Sequence, residues 1–181
     1  MDRDLGTARR AQFERLYDQH SAAILRYCVR RARNPALADD ACSETFLVAW
    51  RRLDDIPAEP LPWLLGVARR VVGNLVRGDV RREALKTRLY VTATEWTTAV
   101  DDHGDPALDT ALGELREPDR EVLMLVYWDG LTTAEAAAAM KTTAPALRVR
   151  LYRARRRLER RLSSCQGHAD LRLLEPSKEL K

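Results

Sequence analysis

Apolar residues recur at three- and four-residue intervals along almost the whole chain, and no convincing run of alternating strand residues interrupts them. Phe13, Leu16, Tyr17, Ile24, Leu25 and Cys28 share one helical face. The stretch "NPALADD" breaks that pattern: Pro35 is a turn signal, and Asp39 or Asp40 suits the positive end of a second helix. In "DDACSETFLVAWRRL", Ala41, Thr45, Val48 and Ala49 fall to one side, with Phe46, Trp50 and Leu53 as a neighbouring stripe. "DDIPAEPLP" predicts a loop, because its three prolines cannot sustain a helix interior. Helical period resumes over "WLLGVARRVVGNLVRGDVRR".

The second half repeats the helical theme with sharper punctuation. Leu108, Ala111, Leu112 and Leu115 make one short helix face. "EPDRE" is a helix start, with Pro118 early and Asp119 and Glu121 in the first turn. "VLMLVYW" supplies core, and "DG" ends the helix with Gly130 as a left-handed cap. "TTAEAAAAM" opens on Thr132 with Glu135 at capping-box distance. "KTT" is a short turn, and a long basic helix follows. The small residues Ala136, Ala137 and Ala138 allow a close approach of these two helices, the pattern of a helix-turn-helix.

Charge divides the chain. The 181 residues carry a net charge of only +4, and 45% are hydrophobic, so a packed core is expected and the placement of charge matters more than its sum. No Lys or Arg occurs from Leu89 to Leu115, whereas Glu95, Asp101, Asp102, Asp105, Asp109 and Glu114 do. The expected fold is all-α: two small helical domains, 8–83 and 107–163, joined by a flexible acidic linker, 84–106, and followed by a tail, 164–181. Leu171, Leu173 and Leu174 lie in that tail. Three cysteines without C-x-x-C spacing and three scattered histidines give no metal, disulfide or cofactor site. Without an apolar leader or a long apolar run, a soluble, cytoplasmic protein with no membrane insertion is expected.

The basic helix points to nucleic acid. Leu147, Leu151, Ala154 and Leu158 form its packing face, leaving Arg148, Val149, Tyr152, Arg153 and Arg156 on the other. The second helix of a helix-turn-helix enters the major groove, where arginine can bind guanine through two hydrogen bonds. Arg157, Arg160 and Arg161 lie further along and are expected at phosphate or solvent. In the first domain Trp63, Arg69, Arg70, Asn74, Arg77, Arg81 and Arg82 combine basic, aromatic and amide groups suited to a single strand. Asp39, Asp40 and Glu44 do not suit DNA, so that face is assigned to a protein.

Four strings, "LADDACSETFLVAWRRL", "PWLLGVARRVVGNLVRG", "LREPDREVLMLVYWDGLTTAEAAAAM" and "LRVRLYRARRRL", in this order over residues 10–163, resemble the bacterial extracytoplasmic-function sigma factors, with an actinobacterial flavour. The resemblance implies RNA polymerase core, through its β and β′ subunits, and promoter DNA, duplex and single-stranded, as partners. It further implies an anti-sigma factor. It implies that Asp40, Ser43, Glu44, Thr45 and Trp50 dock on the polymerase. Asp54, Asp55 and Ile56 fall in the loop that the family uses for a flipped minus-ten base. The resemblance places Trp63, Arg69, Arg70, Asn74 and Arg77 at the melted strand, and Arg148, Val149, Tyr152, Arg153 and Arg156 at the minus-thirty-five element. The acidic linker resembles the segment that threads the polymerase cleft. Arg70 stands where many members have Asn, and Pro145 and Ala146 where many have Gly and Thr.

Two other readings compete. A conventional helix-turn-helix regulator would bind duplex DNA as a dimer without polymerase, but leaves the acidic helix and linker without a purpose. An enzyme would need Asp39, Asp40 and Glu44 as metal ligands, yet no second acidic motif or phosphate-cradling glycine loop accompanies them. No catalytic residue is expected.

Overall fold

The computed structural model describes residues 2–32, 34–87 and 105–165. Among them are seven α-helices, one 3-10 turn and no strand. The chain divides into two compact units, Met1–Asp101 and Asp102–Lys181.

The first unit is a three-helix bundle of α1 (Asp2–Arg31), α2 (Pro35–Arg51) and α3 (Pro60–Thr87), with a 3-10 turn at Leu53–Asp55. Each helix packs on the other two. Leu16, Ile24, Tyr27 and Cys28 of α1 meet Ala38, Ala41, Phe46 and Ala49 of α2 and Leu64, Leu65, Val67, Ala68 and Val72 of α3 in the core. Burying Ile24 completely contributes roughly 1.5–3 kcal/mol. Tyr17 and Leu25, placed on the apolar face by the sequence pattern, lie at its edge and are 45% and 38% exposed, Tyr17 still meeting the Phe46 ring at 4.7 Å. Tyr27, outside that pattern, is fully buried beneath the Arg31 guanidinium, 3.7 Å from its ring centroid.

Both helix starts in this unit lie earlier than the sequence pattern predicts, and proline is the reason. Asn34 caps α2: its backbone is extended and its Oδ1 accepts from the Leu37 N–H at 2.8 Å. Pro35 then occupies the first turn, where its missing N–H is no loss. Asp39 and Asp40 therefore sit inside the helix rather than at its opening. Pro60 and Pro62 likewise fall in the first turn of α3, so the predicted loop shrinks to the turn and the residues just after it.

The second unit is built around α7 (Ala144–Cys165), against which α4 (Pro106–Gly113), α5 (Glu117–Tyr127) and α6 (Thr133–Ala139) all pack. Leu147, Ala154 and Leu158 are wholly buried, and Leu151 is half-buried at the edge. Leu108, Ala111, Leu112 and Leu115 are buried as predicted, as are Val122 through Leu125. Thr132 and Glu135 form the predicted capping box, the Thr132 N–H donating to the carboxylate at 2.7 Å and its Oγ1 accepting from the Glu135 N–H at 3.3 Å. Gly130 has φ 69°, the left-handed cap. Ala136, Ala137 and Ala139 face inward on α6, while Ala138 points out. The turn between α6 and α7 contains Lys141 at φ 53°, a left-handed position held by a side-chain-bearing residue.

Helix α3 continues through residues 84–87, which the sequence reading gives to the linker. Asp105 caps α4, accepting from the Ala107 N–H at 2.9 Å. The acidic stretch at Asp101 and Asp102 and the tail leucines lie outside the described residues.

Candidate functional site

Helix α2 presents one outward stripe. Asp40, Ser43 and Glu44 are exposed along it, and Trp50 is 38% exposed near its end. Between them stands Leu47, 52% exposed, which the sequence reading missed. An apolar side chain amid carboxylates fits a surface that a partner covers, and its i+3 spacing from Glu44 is the signal that could have found it. Thr45 does not belong to this surface. It has no exposure, and its hydroxyl donates to the Ala41 carbonyl at 2.7 Å, so helix periodicity turns it into the bundle. Burial, with help from Asp39, raises the Cys42 thiol pKa and keeps it protonated.

Trp50 is held by two residues of α1, Phe13 and Arg9. Phe13 meets it edge-on at 5.2 Å, and the Arg9 guanidinium lies 5.6 Å from its ring centroid. Arg9 also donates to the Trp50 carbonyl at 3.1 Å and to Asp54 at 2.8 Å. Arg52 pairs with Asp55 at 3.0 Å while lying 5.7 Å from the Trp63 ring. Both carboxylates of the 3-10 turn thus face arginine. A bare acidic turn would repel a nucleic-acid strand, and these two pairs reduce that repulsion. The Arg52–Asp55 spacing is visible in sequence; the Arg9–Asp54 pair, 45 residues apart, is not. Ile56 is half-exposed beside the turn.

On α3, Arg70, Asn74, Arg77 and Arg81 are exposed, and Arg69 is half-buried. The Arg70 Nε donates to the Gly66 carbonyl at 3.1 Å. Arg77 donates to Asn74 Oδ1 at 2.7 Å. Arg82 is among the residues whose side chains are not described.

On α7 the predicted outer face is outward. Val149 is 49% and Tyr152 61% exposed, and Arg148, Arg153 and Arg156 are exposed around them. Arg156 lies 5.7 Å from the Tyr152 ring centroid, and the Tyr152 hydroxyl and Glu159 raise its already high pKa, so it stays charged. Val149, Arg150 and Arg153, with Arg116 and Pro118 of the α5 entry, line a cleft of about 500 Å³. Its back wall is an ion pair between Arg157 and the buried Asp119. Arg161 pairs with Glu114. Arg157 and Arg161, expected at phosphate or solvent, are thus each held by a carboxylate of the same unit while their side chains stay partly exposed. Arg160 does lie on the surface, its Nε bonded only to the Arg156 carbonyl at 3.2 Å among the described contacts.

The described residues include no cluster of three His, Cys, Asp or Glu side chains able to hold a metal ion, and no helix long and apolar enough to cross a membrane. The chain thus joins a three-helix bundle with an acidic outer stripe and a basic third helix to a unit whose last two helices, α6 and α7, are linked by a short turn. Residues 16–82 match the family Sigma-70 region 2, and residues 106–158 match Sigma-70, region 4. The chain is 32% identical to the ECF RNA polymerase sigma factor BldN of Streptomyces coelicolor, a match spanning 83% of this chain and 60% of BldN. It is 31% identical to the ECF RNA polymerase sigma factor SigL of Mycobacterium tuberculosis, over 83% of this chain and 89% of SigL. Its fold is similar to that of the sigma factor RpoE of Bartonella quintana, solved in complex with the anti-sigma factor NepR, with a TM-score of 0.64 and 20% identity over 85% of this chain and 98% of that one. The chain belongs to the extracytoplasmic-function sigma factors of RNA polymerase.

Proposed function

We propose that the chain binds core RNA polymerase, directs it to specific promoters and helps melt the minus-ten element, contributing no catalytic group of its own. The observation that carries this reading is the pairing of two different surfaces in one chain. The α2 stripe of Asp40, Ser43, Glu44, Leu47 and Trp50 has the mixed acidic and apolar character of a protein-docking face. The α7 face of Arg148, Val149, Tyr152, Arg153 and Arg156 has the character of a groove reader. Between these roles, α3 supplies Arg70, Asn74 and Arg77 to the melted strand, with Trp63 and the turn of Asp54, Asp55 and Ile56 beside it. Arg69, half-buried, contributes less to that contact. The acidic linker occupies the polymerase cleft. An anti-sigma factor that covers the same surfaces is the expected regulator, and the cytoplasm is the site of action.

A dimeric regulator that binds duplex DNA alone is disfavoured, since such a protein has no use for a Sigma-70 region 2. The test is run-off transcription with purified core polymerase on a library of promoter fragments. The expected outcome is specific initiation only when chain and core are both present. Specific binding of duplex DNA by the isolated chain, with no change in polymerase output, would overturn the proposal.

A further inference from the structure

The 3-10 turn at Leu53–Asp55 is anchored on its inner and its outer side. Leu53 is buried and ties the turn into the bundle. On the outside, Arg52 pairs with Asp55 from within the turn's own neighbourhood. Asp54 is held by Arg9 of α1, which lies 45 residues away in the chain. The Asp54 side chain is largely exposed, and an exposed ion pair by itself fixes little. What distinguishes this pair is the seat of the arginine.

The Arg9 guanidinium rests on the end of α2. One terminal nitrogen donates to the Trp50 carbonyl at 3.1 Å, and the guanidinium carbon lies 5.6 Å from the Trp50 ring centroid. Trp50 belongs to the last turn of α2, where carbonyls lack a partner within the helix and a cation is favoured. Its ring is in turn packed edge-on against Phe13, one helical turn after Arg9 on α1. The other terminal nitrogen of Arg9 reaches Asp54 at 2.8 Å. A guanidinium offers its donors in a rigid fork, whereas a lysine ammonium is a point charge on a flexible stem. One planar group therefore relates the place of the turn to the end of α2. Arg9 also stands ahead of residues 16–82, the stretch that matches Sigma-70 region 2, so this anchor comes from outside the matched stretch.

We propose that Arg9 is a positioning residue for the minus-ten loop: seated on Trp50, it holds Asp54 and sets the turn, with Ile56 beside it, before the promoter base arrives. The inference rests on the assignment of Asp54, Asp55 and Ile56 to that base. It adds that base preference at one promoter position depends on a side chain of the first helix that need not touch DNA. Reducing the charge of Asp54 is a separate effect, which any nearby cation would supply. Positioning requires the fork.

The experiment uses the full chain with core polymerase on promoter templates randomised across the minus-ten element. It reads the base preference of the transcripts for wild type, Ile56→Ala, Arg9→Ala, Arg9→Lys and Asp54→Asn. Such a preference is a ratio between templates, so a variant that is merely less stable, or captures less core, lowers output from all of them and leaves the ratio alone. Ile56→Ala should change the preference at one position. Arg9→Ala should flatten it at that same position by about twofold or more, the low end of the coupling between side chains in contact. Arg9→Lys should not restore it, and Asp54→Asn should reproduce it. In the free chain, Arg9→Ala should also speed amide exchange at Asp55 and Ile56, whose N–H groups close the turn onto the Arg52 and Leu53 carbonyls. A wild-type profile for Arg9→Lys beside a flattened one for Arg9→Ala would show that charge alone suffices and would overturn the inference. If Ile56→Ala moves the profile and Arg9→Ala does not, the positioning role is refuted and the loop keeps its assignment. If Ile56→Ala moves nothing, the assignment of the loop fails and the inference fails with it. Should Arg9→Ala unfold the chain, the Arg9→Lys and Asp54→Asn profiles decide.

Discussion

Arg157 and Arg160 stand three residues apart on one helix and have different employment. Arg157 holds the buried carboxylate of Asp119, whereas Arg160 lies over the surface. Removing Arg157 leaves a desolvated carboxylate short of a partner. Arg157→Ala should therefore destabilise the second unit by about 1–3 kcal/mol, and Arg160→Ala by no more than about 0.5 kcal/mol, in urea unfolding. Equal midpoints would show that the pair contributes nothing. His20 gives a second residue-scale expectation. Burial lowers its pKa below 6.5, opposed by the nearby Glu59. A histidine whose folded pKa is depressed binds its proton first in the unfolded state. Stability should be fully present above about pH 6.5 and decline as pH falls from there toward the folded pKa. His20→Gln should flatten that part of a plot of melting temperature against pH, and an unaltered slope would assign it to other groups.

Elements show which parts of the fold are local. The capping box at Thr132 and Glu135, the Gly130 cap and the buried faces of α4 and α7 were all legible, because each rests on residues within one or two turns of each other. The starts of α2 and α3 were misplaced because Pro35, Pro60 and Pro62, residues that would break a helix interior, stand in the first turn, where proline is suited. The exposure of Tyr17 and Leu25, the burial of Tyr27 and Thr45, and the bond from Arg9 to Asp54 depend on how three helices meet, which periodicity cannot supply. At the site, the outer face of α7 was legible for the same reason as its core face. The withdrawal of Arg157 into an ion pair was not, since Asp119 lies 38 residues away. The α6–α7 turn supports a further test. Lys141 already occupies left-handed backbone, where a β-branched side chain is much worse tolerated and asparagine better. Lys141→Val should cost about 1–2 kcal/mol and Lys141→Asn should be tolerated, as read by thermal melting. A neutral valine would mean that the turn relaxes freely.

At the scale of the whole molecule, a modest net charge conceals a division of labour. Acidic groups gather on the outer stripe of α2, and arginines on α3 and α7. Glu44→Lys reverses one charge at an exposed position with no core contact to lose. It should abolish capture of core polymerase while leaving the circular dichroism and melting temperature of the chain unchanged; undiminished capture would remove this stripe from the docking surface. The bundle of the first unit, for its part, supports only some of helix α3. Helix α3 has 28 residues, about 42 Å of rise, but no residue from Gly73 to Arg81 is buried. Amides before Val72 should exchange with solvent only when the bundle opens as a unit, whereas those beyond it, around Gly73 and Gly78, should open by fraying. Hydrogen-exchange mass spectrometry should find residues 73–81 poorly protected in the free chain and much slower in the promoter complex. Equal protection of both halves in the free chain would contradict this. If the difference is found, part of the promoter's binding energy goes into setting that half-helix, and the promoter strand acts as the missing wall of the bundle.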